Sequence, residues 1–162
     1  CSAFYPEAVK YLSKLGVKKF KVASRTCKFI DPYSLEVLKE KNQSKKEIFI
    51  SMGMGGNKNK ISKIFNKKKA TFCYCISEYP LKIEKINWNE AKKYDGFSDH
   101  TMGILAPIVF TILKNQRQTN KIYIEKHVKL INSKGPDAST SITTEQLAEM
   151  IKQIRVIEKV KI

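Results

Sequence analysis

The chain has 162 residues, of which 42% are hydrophobic and 10% aromatic, so it can build a packed core and composition-driven disorder is excluded. Basic residues outnumber acidic ones by 31 to 15, which gives a formal net charge of +16. Only three of the basic residues are arginines, and the lysines are spread over most of the chain. We therefore expect a solvated lysine surface and no nucleic-acid partner.

Short apolar runs alternate with longer amphipathic runs, a pattern typical of parallel βα units. The runs predict six short strands, which in chain order are Ser2–Phe4, Phe20–Ser24, Ile48–Ser51, Thr71–Ile76, Gly96–Ser98 and Lys121–Glu125. A parallel sheet is covered on both faces, so a doubly wound open sheet and part of a (βα)8 barrel both fit. A complete barrel takes about 250 residues, more than this chain has.

The first two helices are predicted from their ends. Pro6 suits the first turn of a helix, and Gly16 can end that helix in the left-handed conformation. Asp31 and Pro32 have the residue types of an N-cap and a first helical position. We therefore predict one helix from Pro6 to Gly16 and a second that begins at Asp31 and carries Leu35 and Leu38.

Further helices are predicted at 59–67, 88–94 and 104–113, and polar loops at 114–120 and 132–141. The 104–113 segment is apolar nearly all round, so we expect it to be buried. It is far shorter than the roughly 20 residues that a bilayer demands. The last helix is predicted from a capping box formed by Thr143 and Gln146. Its apolar stripe consists of Leu147, Met150, Ile151, Ile154 and Ile157.

The remaining signals concern location. The first residues have neither the basic nor the apolar region of a signal peptide. Cys73 and Cys75 point to the same side of a predicted strand, a spacing that suits neither a local disulfide nor a zinc knuckle. We expect reduced thiols at all four cysteines, no membrane partner and a cytoplasmic location.

Polar side chains follow the predicted strands at the ends where parallel α/β folds bind ligands. A lysine and three hydroxyls that converge there suit a phosphate or carboxylate, and these residues are Lys21, Ser24, Ser51 and Ser98. The only two histidines, His100 and His127, also stand at strand ends. They could hold one ion through imidazole nitrogens, or each could be a hydrogen-bonded structural group.

Six segments occur in the order and approximate spacing of the sialic acid synthase family, which includes the N-acetylneuraminate, legionaminic and pseudaminic acid synthases. The segments are KVAS at 21–24, ISMGM at 50–54, SEYP at 77–80, GFSDHTMG at 96–103, IEKH at 124–127 and GPD at 135–137. The chain resembles that family over almost its whole length. Two positions depart from the family pattern: Thr26 stands where many relatives have an acidic residue, and Met52 replaces a threonine.

The resemblance implies an α/β fold of the (βα)8 TIM barrel type. It places residues 1–162 in one incomplete barrel domain that covers roughly the third to eighth βα units. The first two units and a C-terminal antifreeze-like domain would then be absent. An opened barrel leaves strand edges unpaired. We therefore expect the isolated chain to be inactive and to belong to a longer protein or an assembly.

The resemblance also implies a transferase that condenses phosphoenolpyruvate with an N-acetylated amino sugar, such as N-acetylmannosamine, to a nine-carbon 2-keto sugar acid and phosphate. His100 and His127 would bind Mn²⁺ or Mg²⁺ and, with Asp137, act in catalysis. The residues implied to bind phosphoenolpyruvate are Ser2, Lys21, Ser24, Ser51 and Ser98. Tyr79 and Asp137 would face the amino sugar. Full-length relatives are expected to be homodimers.

Two other functions remain open. One is a different phosphoenolpyruvate-dependent synthase, of the 3-deoxy-octulosonate or deoxyheptulosonate phosphate type. The other is a non-catalytic module that binds a partner through its basic surface.

Overall fold

The structure is a computed structural model that describes residues 1–65, 70–115 and 121–160. The chain divides into two compact units, Cys1–Cys75 and Ile76–Ile162. In the parts of the chain that the structure describes, no helix is long and apolar enough to cross a membrane.

Three parallel strands form the sheet of the first unit. The elements are α1 (Pro6–Lys14), β1 (Lys19–Val22), α2 (Ser24–Cys27), α3 (Ser34–Gln43), β2 (Glu47–Ser51), α4 (Lys58–Ser62) and β3 (Ala70–Cys75). β2 lies between β1 and β3, and Ser2 adds an isolated parallel bridge to Lys21. β1 and β2 are each followed by a helix, as expected of βα units.

The two faces of this sheet differ in character. Phe20 of β1 is fully buried and packs with Val9 of α1 and Val37 of α3, so this face is covered by helices. Successive side chains of a strand point to opposite faces. The register pairs Lys21 with Phe49, and Ser51 lies two residues after Phe49 in β2, so Lys21 and Ser51 share the other face.

The second unit contains two short pairs of parallel strands. Its elements are α5 (Trp88–Ala91), β4 (Gly96–Asp99), α6 (Leu105–Asn115), β5 (Tyr123–Lys126), β6 (Val128–Lys129), β7 (Ile142–Thr143) and α7 (Thr144–Ile157), with a 3-10 helix at Ile83–Lys85. β4 pairs with β5, and β6 pairs with β7. The Phe97 ring of β4 stacks on Phe110 of α6 at 5.2 Å between centroids, which packs the helix on its strand.

Several local predictions are confirmed. Helix α1 begins at Pro6, and Gly16 beyond its end has φ +83°, where a side chain would be strained. At the start of α7, Thr143 Oγ1 accepts from Gln146 N and Gln146 Oε1 accepts from Thr143 N, so the capping box is complete. Residues 132–141 form a loop, and all four cysteines are free thiols.

Other boundaries were predicted wrongly. The strand predicted to end at Ser24 ends at Val22, because Ser24 begins α2. Asp31 is not an N-cap: the N-cap of α3 is Tyr33, and the Asp31 carbonyl accepts from both Ser34 N and Ser34 Oγ. The strand predicted at Ser2–Phe4 is a single bridge.

Three helix predictions also need correction. α4 ends at Ser62 rather than at 67, and residues 66–69 lie outside the described part, as do 116–120 of the predicted 114–120 loop. α5 ends at Ala91 rather than at 94. The 104–113 helix is not buried all round, since Leu105 is largely exposed. Ile151 of the predicted α7 stripe is also exposed, and Met150 is the buried residue of that helix.

Candidate functional site

The first unit holds four of the predicted site residues, which we call the lysine–serine group: Ser2, Lys21, Ser24 and Ser51. Lys21 and Ser51 lie on the same face of the sheet, and the bridge sets Ser2 beside Lys21. Ser24 lies two residues after the end of β1, at the start of α2. The elements of this unit therefore bring Lys21 and three hydroxyls to neighbouring positions, whereas Ser98, the remaining residue of the predicted anion-binding set, belongs to the second unit.

The two buried serines of this group differ in their hydrogen bonds. Ser24 Oγ accepts from Gly53 N at 2.9 Å and donates to Cys75 Sγ at 3.7 Å. Its hydroxyl therefore links the chain after β1 to the segment after β2 and to the end of β3. Ser51 Oγ is buried and has no hydrogen-bond partner among the described residues. Burying a hydroxyl without a partner costs about 1–3 kcal/mol, so Ser51 has bonding capacity to spare for a polar ligand.

The backbone at Lys21 is held by a lysine that the sequence analysis did not single out. Lys41 of α3 is 1% exposed, and its Nζ donates to Lys21 O at 2.8 Å and to Ala3 O at 2.9 Å. Burial lowers the pKa of Lys41 to about 8, partly opposed by Cys27 and assisted by repulsion from Lys21. Burial likewise raises the pKa of the Cys27 thiol to about 12. Cys27 is therefore an unreactive thiol at neutral pH.

The second unit brings together four other predicted residues, which we call the two-histidine cluster: Tyr79, His100, His127 and Asp137. The His100 and His127 rings lie 5.5 Å apart between centroids, and the Tyr79 ring lies 4.0 Å from His100 and 6.0 Å from His127. His127 Nδ1 is 3.8 Å from Asp137 Oδ2, longer than a hydrogen bond. The predicted convergence of the two histidines therefore holds in the fold.

A hydrogen bond to the main chain identifies the ring nitrogen of His100 that carries a proton. Its Nδ1 lies 2.7 Å from the Ile76 carbonyl oxygen, which can only accept, so Nδ1 carries the proton. In the neutral ring Nε2 then has a lone pair, and the Tyr79 hydroxyl donates to it at 2.9 Å. Burial and the neighbouring His100 lower the pKa of His127, opposed by Asp137 and Glu125. The lowered pKa favours the neutral form of the His127 ring at neutral pH.

Beneath the histidines lie two further contacts between β4 and β5. Ser98 Oγ donates to Glu125 Oε2 at 2.6 Å, so this predicted ligand contact is engaged with a carboxylate. Lys126 Nζ donates to Asp99 Oδ2 at 2.7 Å, with side chains that are 2% and 0% exposed. The sequence analysis missed this ion pair. It could have been predicted, because an acidic residue directly precedes one histidine and a basic residue directly precedes the other.

The donor set of the two-histidine cluster fits a divalent cation. A metal-binding histidine usually donates its second ring nitrogen to a carbonyl or carboxylate, and the bond from His100 Nδ1 to Ile76 O is of this kind. Among the described residues no three His, Cys, Asp or Glu side chains are grouped for one metal. Two imidazoles would leave the other coordination positions of such an ion to water or substrate.

The NeuB family matches residues 1–161 of this chain. The chain is 34% identical to an uncharacterized protein of Methanocaldococcus jannaschii, over 93% of this chain and 45% of that protein. It is 31% identical to N,N′-diacetyllegionaminic acid synthase of Campylobacter jejuni, over 94% of this chain and 47% of that enzyme.

A solved structure is similar over nearly the whole chain. The crystal structure of N-acetylneuraminic acid synthetase from Leptospira borgpetersenii, in complex with citrate, superposes with a TM-score of 0.79 at 24% identity, covering 98% of this chain and 56% of that one. This chain thus shares the α/β fold of that protein, and it spans less than half the length of the two relatives above. Because the family match extends over all but the last residue, the chain belongs to the NeuB family, which confirms the predicted resemblance to sialic acid synthases.

Proposed function

We propose that the protein carrying this chain is a sialic acid synthase-type transferase, which condenses phosphoenolpyruvate with an N-acetylated amino sugar to a nine-carbon 2-keto sugar acid. The chain would supply roughly the third to eighth βα units of a (βα)8 barrel. One observation carries the proposal: two histidines follow neighbouring parallel strands with their rings 5.5 Å apart, and the Nδ1 of one of them donates to a main-chain carbonyl.

In this proposal the lysine–serine group binds the anionic substrate. The Lys21 ammonium attracts phosphate or carboxylate oxygens, and serine hydroxyls donate to them. Ser51 supports this role because its buried hydroxyl lacks a partner in the described part of the chain. Ser24 already bonds to Gly53 and Cys75, so its first role is to shape the chain around the group.

The two-histidine cluster would hold Mn²⁺ and the sugar. His100 offers Nε2 to the ion once the Tyr79 hydroxyl turns away, and that hydroxyl is then available to the sugar. Asp137, half-exposed beside His127, can accept hydrogen bonds from sugar hydroxyls. When bound, a divalent cation is a Lewis acid that can polarise the sugar aldehyde or position the attacking water. The condensation joins the two substrates through a new carbon–carbon bond, consumes one water and releases phosphate.

The test is a product assay on the protein that carries this chain. Phosphoenolpyruvate, Mn²⁺ and N-acetylmannosamine are supplied, and mass spectrometry detects the nine-carbon acid while a colorimetric assay follows phosphate. We expect matched release of product and phosphate, and loss of both in His100→Ala and His127→Ala. A matched control is Lys93→Ala, an exposed lysine of the same unit, which should retain activity.

Parallel reactions distinguish the alternatives. Product from arabinose 5-phosphate or erythrose 4-phosphate, but not from N-acetylmannosamine, would replace this proposal with another phosphoenolpyruvate-dependent synthase. Salt-sensitive DNA binding without any metal-dependent product would favour a basic binding module instead.

A further inference from the structure

An ion pair lies directly before both histidines of the second unit. The parallel register of β4 and β5 places Asp99 opposite Lys126, and the next residues along the two strands are His100 and His127. The pair is buried and closely bonded, with Lys126 Nζ 2.7 Å from Asp99 Oδ2. The ion pair therefore fixes the ends of the two strands, and with them the backbone positions from which His100 and His127 follow.

Asp99 and Lys126 also form hydrogen bonds with Thr101, the residue after His100. Asp99 Oδ1 accepts from Thr101 N at 2.9 Å, and Oδ2 accepts from Thr101 Oγ1 at 3.1 Å. Lys126 Nζ also donates to the Thr101 carbonyl oxygen. The residues on both sides of His100 are thus tied to each other and to the residue before His127. Neither β4 nor β5 can shift at this end without breaking a charged hydrogen bond.

Stability alone is a weak explanation for such a pair. Two charges removed from water lose more solvation than their attraction returns unless the geometry is very good, and an apolar pair of similar volume is often as stable. A pair of this kind is better explained by the register that it enforces. Here the register decides how far apart the two imidazoles stand.

We propose that Asp99 and Lys126 are positioning residues that set the separation and orientation of His100 and His127 for one shared divalent cation. This inference rests on the proposed function, because it assumes that the two histidines bind the same ion. Neither Asp99 nor Lys126 would touch the ion. Residues that orient metal ligands typically change metal affinity by 10–100-fold when they are altered.

The test is Mn²⁺ binding by the full chain, prepared without a histidine tag, with free Mn²⁺ followed by its electron paramagnetic resonance signal. We expect Lys126→Met to weaken binding at least ten-fold. Asp99→Asn should act similarly, since it keeps an oxygen for Thr101 N but loses the charge that holds Lys126. Circular dichroism and thermal unfolding report whether each variant is folded, and Asp99→Asn decides the matter if Lys126→Met does not fold.

Lys114 offers a matched control. It is also a buried lysine of this unit, and its Nζ lies 3.7 Å from Asp95, the residue before the other end of β4. Lys114→Met removes a buried ammonium from the same unit but should leave Mn²⁺ affinity within about two-fold. If Lys114→Met and Lys126→Met weaken binding equally, the loss reflects stability and the positioning role is overturned.

The two ring signals of the chain give a second readout. Because the sequence has only two histidines, a ¹H–¹³C spectrum contains only two imidazole Cε1 resonances. In the unaltered chain both should broaden at the same low Mn²⁺ concentration. In Lys126→Met they should broaden at different, higher concentrations, which a purely structural role does not predict.

The two failures can be told apart. If His100→Ala leaves Mn²⁺ binding unchanged, the two histidines do not hold the ion, and both the proposed function and this inference fail. If His100→Ala abolishes binding but folded Lys126→Met and Asp99→Asn bind Mn²⁺ as tightly as the unaltered chain, only the positioning role fails.

Discussion

Each unit of the molecule buries a lysine beneath its candidate site, and the two units stabilise that charge differently. In the first unit Lys41 is 1% exposed and donates to two main-chain carbonyls, Ala3 O and Lys21 O. In the second unit Lys126 donates to the Asp99 carboxylate, whose side chain is 0% exposed. Carbonyl dipoles compensate a buried charge only in part, and the pKa of Lys41 falls to about 8. The full negative charge of a carboxylate is a stronger partner for a buried ammonium.

The largest expected effect comes from breaking the second arrangement. Lys126→Met leaves the Asp99 carboxylate buried without its cation, so we expect a loss of about 3–5 kcal/mol in the free energy of unfolding, measured in urea. The control Lys114→Met leaves Asp95, whose side chain is 72% exposed and solvated by water. We expect that variant to lose about 1 kcal/mol. Equal losses in the two variants would contradict the comparison.

A smaller effect is expected from the first arrangement. Lys41→Met removes a buried ammonium together with two hydrogen bonds, and leaves no buried charge behind. We expect a loss of about 1–2 kcal/mol at pH 7, since each hydrogen bond is worth about 1 kcal/mol net. Urea unfolding at pH 7 checks this value. A loss as large as that of Lys126→Met would show that carbonyl partners hold a lysine as firmly as a carboxylate does.

The contribution of Lys41 to the free energy of unfolding should also depend on pH. The pKa of Lys41 is about 8 in the folded chain, below its ordinary value of 10.5. Between pH 8 and 10.5 the unfolded chain binds a proton that the folded chain has lost, so Lys41 makes stability rise with pH in this window. The difference in unfolding free energy between the unaltered chain and Lys41→Met should grow accordingly. The control is Lys39→Met, which alters an exposed lysine of the same helix. Its free energy of unfolding, plotted against pH, should run parallel to that of the unaltered chain. A parallel plot for Lys41→Met would contradict the prediction.

The smallest expected change in stability comes from the two buried serines of the first unit, Ser51 and Ser24. Ser51→Ala removes a buried hydroxyl that has no partner in the described structure, so stability should stay unchanged or rise by up to about 1 kcal/mol. Ser24→Ala instead leaves Gly53 N without its acceptor and should lose about 1 kcal/mol. Thermal unfolding measures both. If Ser51→Ala is destabilised as much as Ser24→Ala, then Ser51 serves the fold rather than a ligand.

Features set by neighbouring residues could be predicted from the sequence. The start of α1 at Pro6, the left-handed Gly16 and the capping box of Thr143 with Gln146 depend on local backbone chemistry. The convergence of His100 and His127 also follows from their positions after parallel strands, once the strands are known.

Features set by long-range packing could not be predicted in this way. In a chain with 28 lysines, nothing local distinguishes Lys41 from a surface lysine, because its burial depends on which side of α3 faces β1. The apolar residue types of α7 do not reveal that Ile151 is exposed, since that depends on which neighbours cover the helix. The bond from Ser98 to Glu125 likewise depends on the register of two strands.

The bond from His100 to Ile76 has a consequence for how this site can evolve. Its acceptor is a main-chain carbonyl, which every amino acid supplies. No substitution at position 76 removes the acceptor itself, so the tautomer of His100 is insulated from mutation in a way that a carboxylate partner would not allow. A substitution at position 76 therefore acts on His100 only through the side chain, and it leaves the same ring nitrogen of His100 bonded to the main chain.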